Sequence, residues 1–156
     1  MRYYDASKMR LNNDGIYYME RKINLKGFKY AYISGFYSPT EYSDNLGCYN
    51  VRMRVGCNSY LLCETQDKGE AREVINYVQQ QVGMNKDVKT YKNAVVDMKY
   101  VKDVKLEEEN GYKIKIEIEN GRTLRVFKSP FKILAQMNFS LVKRDFEKFK
   151  QSHLEK

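Results

Sequence analysis

The chain has no tryptophan, one histidine, two prolines and three cysteines among its 156 residues. His153 lies in the tail beyond the last patterned segment, so nucleophilic or acid–base chemistry built on histidine is not expected. Cys48, Cys57 and Cys63 contain no C-x-x-C pair and have no histidine near them, which removes the usual zinc sets. They are expected to be free thiols of a cytoplasmic protein. There is no G-x-x-x-x-G-K and no G-x-G-x-x-G, so phosphate-loop nucleotide chemistry drops out. No run approaches the roughly 18 apolar residues of a membrane-crossing helix. The opening MRYYDASKMR carries no secretory apolar stretch. No cofactor, metal or membrane partner is therefore expected.

What is present is globular. Hydrophobic residues make up 42% and charged residues 31%. A single domain of this length hides roughly 70% of its unfolded surface and holds a core without staples. Fourteen tyrosines and seven phenylalanines suit half-buried strands. Lysine and arginine number 28 against 20 acids, a net charge of +8. The excess is uneven: residues 1–47 carry +2, 48–84 carry 0 and 85–156 carry +6.

The pattern reads as α+β: a mostly antiparallel sheet built from hairpins, with two main helices. Asn12-Asn13-Asp14-Gly15 is turn chemistry inside an N-terminal hairpin. Residues 28–37 read as a strand, and Ser38–Gly47 as the longest loop. Tyr49, Val51, Met53 and Val55 alternate with Asn50, Arg52 and Arg54, a half-buried strand. A two-residue turn at Cys57-Asn58 would pair Val55 with Tyr60 and Met53 with Leu62. Asp67 with Glu70 opens a helix over 68–82, with Ala71, Val74, Ile75, Val78 and Val82 inward and Gly83 as its stop.

The second half restarts at Ala94, with a strand that bends near Lys102-Asp103. Tyr112, Ile114, Ile116 and Ile118 alternate with Lys113, Lys115, Glu117 and Glu119. A three-residue loop, Glu119-Asn120-Gly121, keeps the apolar faces together by pairing Ile116 with Leu124 and Ile114 with Val126. Ser129-Pro130 opens a helix over 130–150, interrupted at Asn138-Phe139-Ser140. The expected core is Val51, Met53, Val55, Leu62, Val74, Ile75, Val78, Ile114, Ile116, Leu124, Val126, Leu134 and Phe146. Tyr49 to Val55 resembles Tyr112 to Ile118 at an offset of 63 residues. A β-β-β-α unit thus repeats over 28–84 and 94–150, within one domain spanning 1–156.

Three functions fit this pattern. Arg52 and Arg54 occupy the polar face of the first hairpin, and Lys113, Lys115 and Arg125 that of the second. If the hairpins share a sheet they form one basic surface, joined by a Lys86, Lys89 and Lys92 loop. Such a surface suits a phosphate backbone, and the leading expectation is a non-catalytic nucleic-acid-binding protein. The alternative is a protein-interaction or inhibitor module, of the kind phages and mobile elements encode, that docks an acidic protein surface with Tyr37 and Tyr42 at its loop. The third is enzymatic. Val95-Val96-Asp97-Met98-Lys99, with Asp87 and Glu73, resembles the PD-(D/E)xK nucleases. That resemblance implies carboxylates holding a divalent ion and a lysine activating water. In the bland reading, Asp97 and Lys99 are simply solvent-facing residues of an alternating strand.

Overall fold

The computed structural model describes residues 2–37, 47–83, 85–118 and 121–154. The fold is α+β, and the chain divides into two compact units, Met1–Asn85 and Lys86–Lys156. Among the described residues no helix is long and apolar enough to cross a membrane.

The first unit contains β1 (Arg2–Tyr4), β2 (Met9–Asn12), β3 (Gly15–Tyr18), β4 (Arg21–Lys22), β5 (Phe28–Tyr37), β6 (Gly47–Val55), β7 (Asn58–Thr65) and α1 (Lys68–Val82). The Asn13-Asp14 turn closes the expected N-terminal hairpin between β2 and β3. Strands β5, β6 and β7 form an antiparallel meander. An unforeseen strand, β1, runs parallel to β7 and sets Tyr4 on Tyr60, with stacked rings 4.7 Å apart. Helix α1 packs on the meander through buried Ala71, Ile75 and Val78, at the i, i+4, i+7 spacing of one helix face. Val74 sits at the border of that face and is half-buried. The Asp67 carboxylate accepts from the Gly69 N–H at 2.8 Å. Glu70 does not complete a capping box; it accepts from the Thr65 hydroxyl at 2.6 Å. Gly83 stops the helix with φ +81°.

The second unit contains β8 (Val88–Tyr91), β9 (Ala94–Asp97), β10 (Val101–Glu108), β11 (Tyr112–Ile118), β12 (Thr123–Ser129) and α2 (Lys132–Leu154). It opens with a hairpin, β8–β9, six residues before the expected restart at Ala94. Strands β10, β11 and β12 form a second meander. Helix α2 covers one face of it with Ala135, Val142 and Phe146.

Several expected registers shift by a bulge or a turn. The first hairpin turns at Gly56-Cys57, not Cys57-Asn58, so Val55 faces Asn58 and Met53 faces Tyr60. Gly56 takes φ +57°, which makes the shifted turn accessible. The shift is an even number of residues, so the buried face survives it. In the second hairpin Ile116 faces Leu124 as expected, but Ile114 faces Phe127. Val126 becomes the extra residue of a bulge, and both it and Phe127 are buried. The Ile118 N–H bonds the Arg122 carbonyl at 2.8 Å, and Gly121 takes φ +77°, although residues 119–120 lie outside the described set.

Helix α2 runs without the expected interruption; Asn138 donates back to the Leu134 carbonyl at 2.9 Å. It begins two residues later than expected, with the Ser129 hydroxyl accepting from the Phe131 N–H at 3.0 Å. Its inward stripe is also rotated: Leu134 is 45% exposed and Ala135 fully buried. The extra residue of the β10 bulge, Lys102, falls at the bend expected near Lys102-Asp103.

The two units share one plan, and it extends further than the hairpin resemblance. Tyr17–Lys22 and Tyr18–Arg21 pairs in β3–β4 recur as Thr90–Val95 and Tyr91–Ala94 in β8–β9. A single 3-10 turn follows each, capped by Asn24 on the Lys26 N–H or by Asp97 on the Lys99 N–H. Bulges fall at Phe28/Tyr30 and Val101/Asp103, then at Val51/Arg52 and Ile114/Lys115. Thr65 and Ser129 then cap the Asp67 and Phe131 N–H groups before the helices begin at Lys68 and Lys132.

Ile116 is fully buried in the middle of β11. Ile116→Ala is expected to cost about 2–5 kcal/mol in denaturant unfolding. Leu134→Ala, at an exposed helix site, should stay within about 0.5 kcal/mol of the parent.

Candidate functional site

The strongest concentration of positive charge lies on the β10–β12 meander, on the face opposite α2. Alternation sends Val104, Ile114, Ile116 and Leu124 inward and their neighbours outward. Lys105, Lys115 and Arg125 face one another across the three strands. Adjacent strands are about 4.8 Å apart, so these three cations form a compact row. In the next row Glu107, Lys113 and Lys128 are aligned, and in the row before it Asp103, Glu117 and Thr123. The bulge at Val126 turns Lys128 outward; a regular ladder would have buried it.

Two diagonal ion pairs temper the row. Lys115 Nζ lies 2.7 Å from Glu107 Oε2, and Lys105 Nζ 3.6 Å from Glu117 Oε2. The hydrogen bond from Lys115 holds the Glu107 carboxyl below its ordinary range. The charges of Lys115, Lys105 and Lys113 push the same way. Five cations stand against two carboxylates, Glu107 and Glu117, on this face; Asp103 sits at the β10 bulge with its carboxylate 3.8 Å from Lys143 of α2. Like charges directly opposite one another destabilise a sheet, and here Lys105–Lys115, Lys115–Arg125 and Lys113–Lys128 are all directly opposed.

The other residues singled out in the sequence are placed elsewhere. Arg52 and Arg54 lie in the β5–β7 meander, which is a separate sheet from β10–β12. Arg52 stands between Tyr32 and Leu61, and Arg54 between Tyr30 and Ser59, both of which are buried. The two hairpins therefore do not share one sheet. Lys86 lies in a turn and Lys89 in β8, where they line a cavity of about 230 Å³ with Asp87, Asp145 and Lys148. Lys92 is exposed in the β8–β9 turn. Tyr42 and the side chain of Tyr37 lie outside the described residues.

Sequence reasoning missed Lys105 and Lys128. Counting from buried Val101, strict alternation would send Lys105 inward; the extra residue Lys102 resets the parity, so that Val104 is buried and Lys105 faces outward. Lys128 owes its orientation to a bulge, for which the sequence carries no signal.

Of the nuclease-like residues, Asp97 caps a turn. Every residue of β9 is buried, and Asp97 is 8% exposed, so neither it nor its strand alternates to solvent. Its carboxylate accepts from the Lys99 N–H at 3.0 Å and caps the 3-10 turn Met98–Tyr100. A strand follows that turn, where the nuclease arrangement has a helix. Among the described residues no three or more histidine, cysteine or acidic side chains gather as metal ligands. Cys57 is exposed and Cys63 half-buried, both free thiols; the Cys48 side chain lies outside the described residues.

Comparison with family models, curated proteins and solved structures finds no match to the chain.

Burial raises the Asp97 carboxyl above its ordinary value. The Lys99 N–H opposes this, and the Asp87 charge adds to it. A raised carboxylate favours the folded state at low pH and loses that advantage as pH climbs through the folded value. Asp97→Asn keeps the cap acceptor and removes the buried charge. It should match or exceed the parent in stability at pH 7 and erase this pH dependence. Asp97→Ala leaves the Lys99 N–H uncapped and should cost about 1 kcal/mol. Thermal melts from pH 4 to pH 7 distinguish the two outcomes.

Proposed function

We propose that this chain is a non-catalytic binding protein that engages nucleic acid through the outer face of β10–β12. The observation that carries the reading is the aligned row Lys105, Lys115 and Arg125, backed by the opposed pair Lys113–Lys128. Holding like charges directly opposite on a rigid sheet costs stability in the free protein. A ligand that brings phosphates to the row relieves the repulsion and releases condensed counterions. The net charge of +8 and its concentration in residues 85–156 steer such a ligand toward this unit. The row is a phosphate-reading surface. No exposed aromatic pair on these strands offers a base platform, so sequence-independent backbone contact is the mode expected. Arg52, Arg54, Lys86, Lys89 and Lys92 are outside this face and are secondary in the reading.

Gel retardation with duplex and single-stranded DNA and RNA at about 50 mM salt tests it directly. Binding should fall steeply with salt. Lys115→Gln together with Arg125→Gln should lower the slope of log K against log salt by about 0.9 for each duplex phosphate that the variant no longer neutralises. Absence of retardation by the parent protein would sink the reading.

A further inference from the structure

Helix α2 presents to solvent a stripe that its own fold does not use. Ala135, Val142 and Phe146 face the sheet. On the opposite side Ile133, Met137 and Leu141 follow one another at i, i+4, i+8 and are 74%, 61% and 48% exposed. Phe131 and Leu134 flank them at 67% and 45%. Contiguous apolar exposure of this size on a folded protein marks a contact surface.

The sister unit shows that the architecture does not require it. The helices begin at equivalent points, Lys68 and Lys132. The counterparts of Leu134, Met137 and Leu141 are therefore Glu70, Glu73 and Tyr77. Glu70 accepts from Thr65, and the Tyr77 hydroxyl lies within hydrogen-bond distance of the Asn12 and Gly15 carbonyls. One helix of the pair thus carries polar groups at these positions, most of them bound to its own unit. The other carries bare hydrocarbon.

Charge and shape identify the occupant. The stripe continues along the same side of α2 into exposed Arg144 and Lys148, with Lys132 at its start. The nearby carboxylates are engaged: Asp145 accepts from the Tyr91 hydroxyl at 2.9 Å, and Glu147 lies 3.9 Å from Lys143. Beside Leu141 an open groove of about 350 Å³ is lined by Tyr91, Lys92, Phe127, Asn138 and Arg144. A second copy in an antiparallel α2–α2 pair would run the Arg144–Lys148 end of each chain against the Lys132 end of the other, cation against cation. A lipid surface would meet the helix ridge but leave the groove unfilled. We propose that α2 is a docking helix for a partner protein, and that the partner supplies an amphipathic segment with apolar anchors and acidic flanks. An anchor side chain enters the groove beside Leu141 while partner carboxylates meet Lys132, Arg144 and Lys148. This surface lies on the side of β10–β12 opposite the basic row and does not rest on the nucleic-acid reading.

The test titrates the full chain with a 20-residue Ala-based helical peptide bearing Leu at i, i+3, i+4 and i+7 and Glu at both flanks. A Lys-for-Glu version, a scrambled acidic version and vesicles containing phosphatidylserine run in parallel, and sedimentation reads self-association. Saturable binding of the acidic amphipathic peptide is expected, with methyl NMR shifts at Ile133, Met137 and Leu141. Met137→Glu with Leu141→Glu should weaken it at least tenfold, and so should Arg144→Glu with Lys148→Glu. Circular dichroism melts of both pairs should match the parent, because all four side chains face solvent. No binding, equal binding of the three peptides, preference for vesicles, or a dimer dispersed by Met137→Glu would each overturn the proposal. Nucleic-acid retardation should be unchanged by Met137→Glu with Leu141→Glu, which keeps the two readings separable.

Discussion

In each unit the middle strand of a three-stranded meander must bury one face under a helix. Val51, Met53 and Val55 do this in the first unit, and Ile114, Ile116 and Ile118 in the second. A slip of one residue in either strand would turn the whole apolar set to solvent. Everything else follows from that parity: which lysines face outward, where the turns close, and which side of each helix is left over. Helix α1 answers with Ala71, Ile75 and Val78 at i, i+4 and i+7, and helix α2 with Ala135, Val142 and Phe146 at i, i+7 and i+11; the small Ala71 and Ala135 let the backbones approach the sheet closely.

The bulges recur at matching places because they solve the same problem twice. A three-stranded meander that must twist beneath a helix gains local twist from an extra residue in the return strand. In the first unit that residue is Leu62, in the second Val126, and both stay buried. In the second unit the bulge has a further effect. It sends Phe127 inward and Lys128 outward, which completes the second row of cations beside Lys113. A device that shapes the core thereby also composes the charged face.

The units share a plan but differ in what they leave exposed. In the first, the arginines of β6 stand among tyrosines and buried neighbours, and the polar side of α1 is tied to the β2–β3 turn through Tyr77. In the second, the sheet shows a row of like charges and the helix shows hydrocarbon. Both features cost stability or solubility in isolation. They lie on opposite sides of one small unit.

The sequence by itself determined the period-two strands, both helices, the Gly121 loop geometry and most of the inward-facing set, because alternation and end-capping are local properties. Helix α1 was legible to its end residues, since Asp67 and Gly83 mark them chemically. The sequence also located Lys113, Lys115 and Arg125 on one face. Tertiary structure alone decided the bulges, the hairpin β8–β9 and the parallel strand β1, the last because its partner β7 comes from far along the chain. It also decided that Asp97 caps a turn, that Arg52 and Arg54 lie in a different sheet from Lys115, and that Leu134 faces water. The last case shows the physical reason most plainly. In α2 apolar residues occur all round the first three turns, so periodicity cannot say which stripe is buried; the sheet beneath selects Ala135 and leaves Met137 outside.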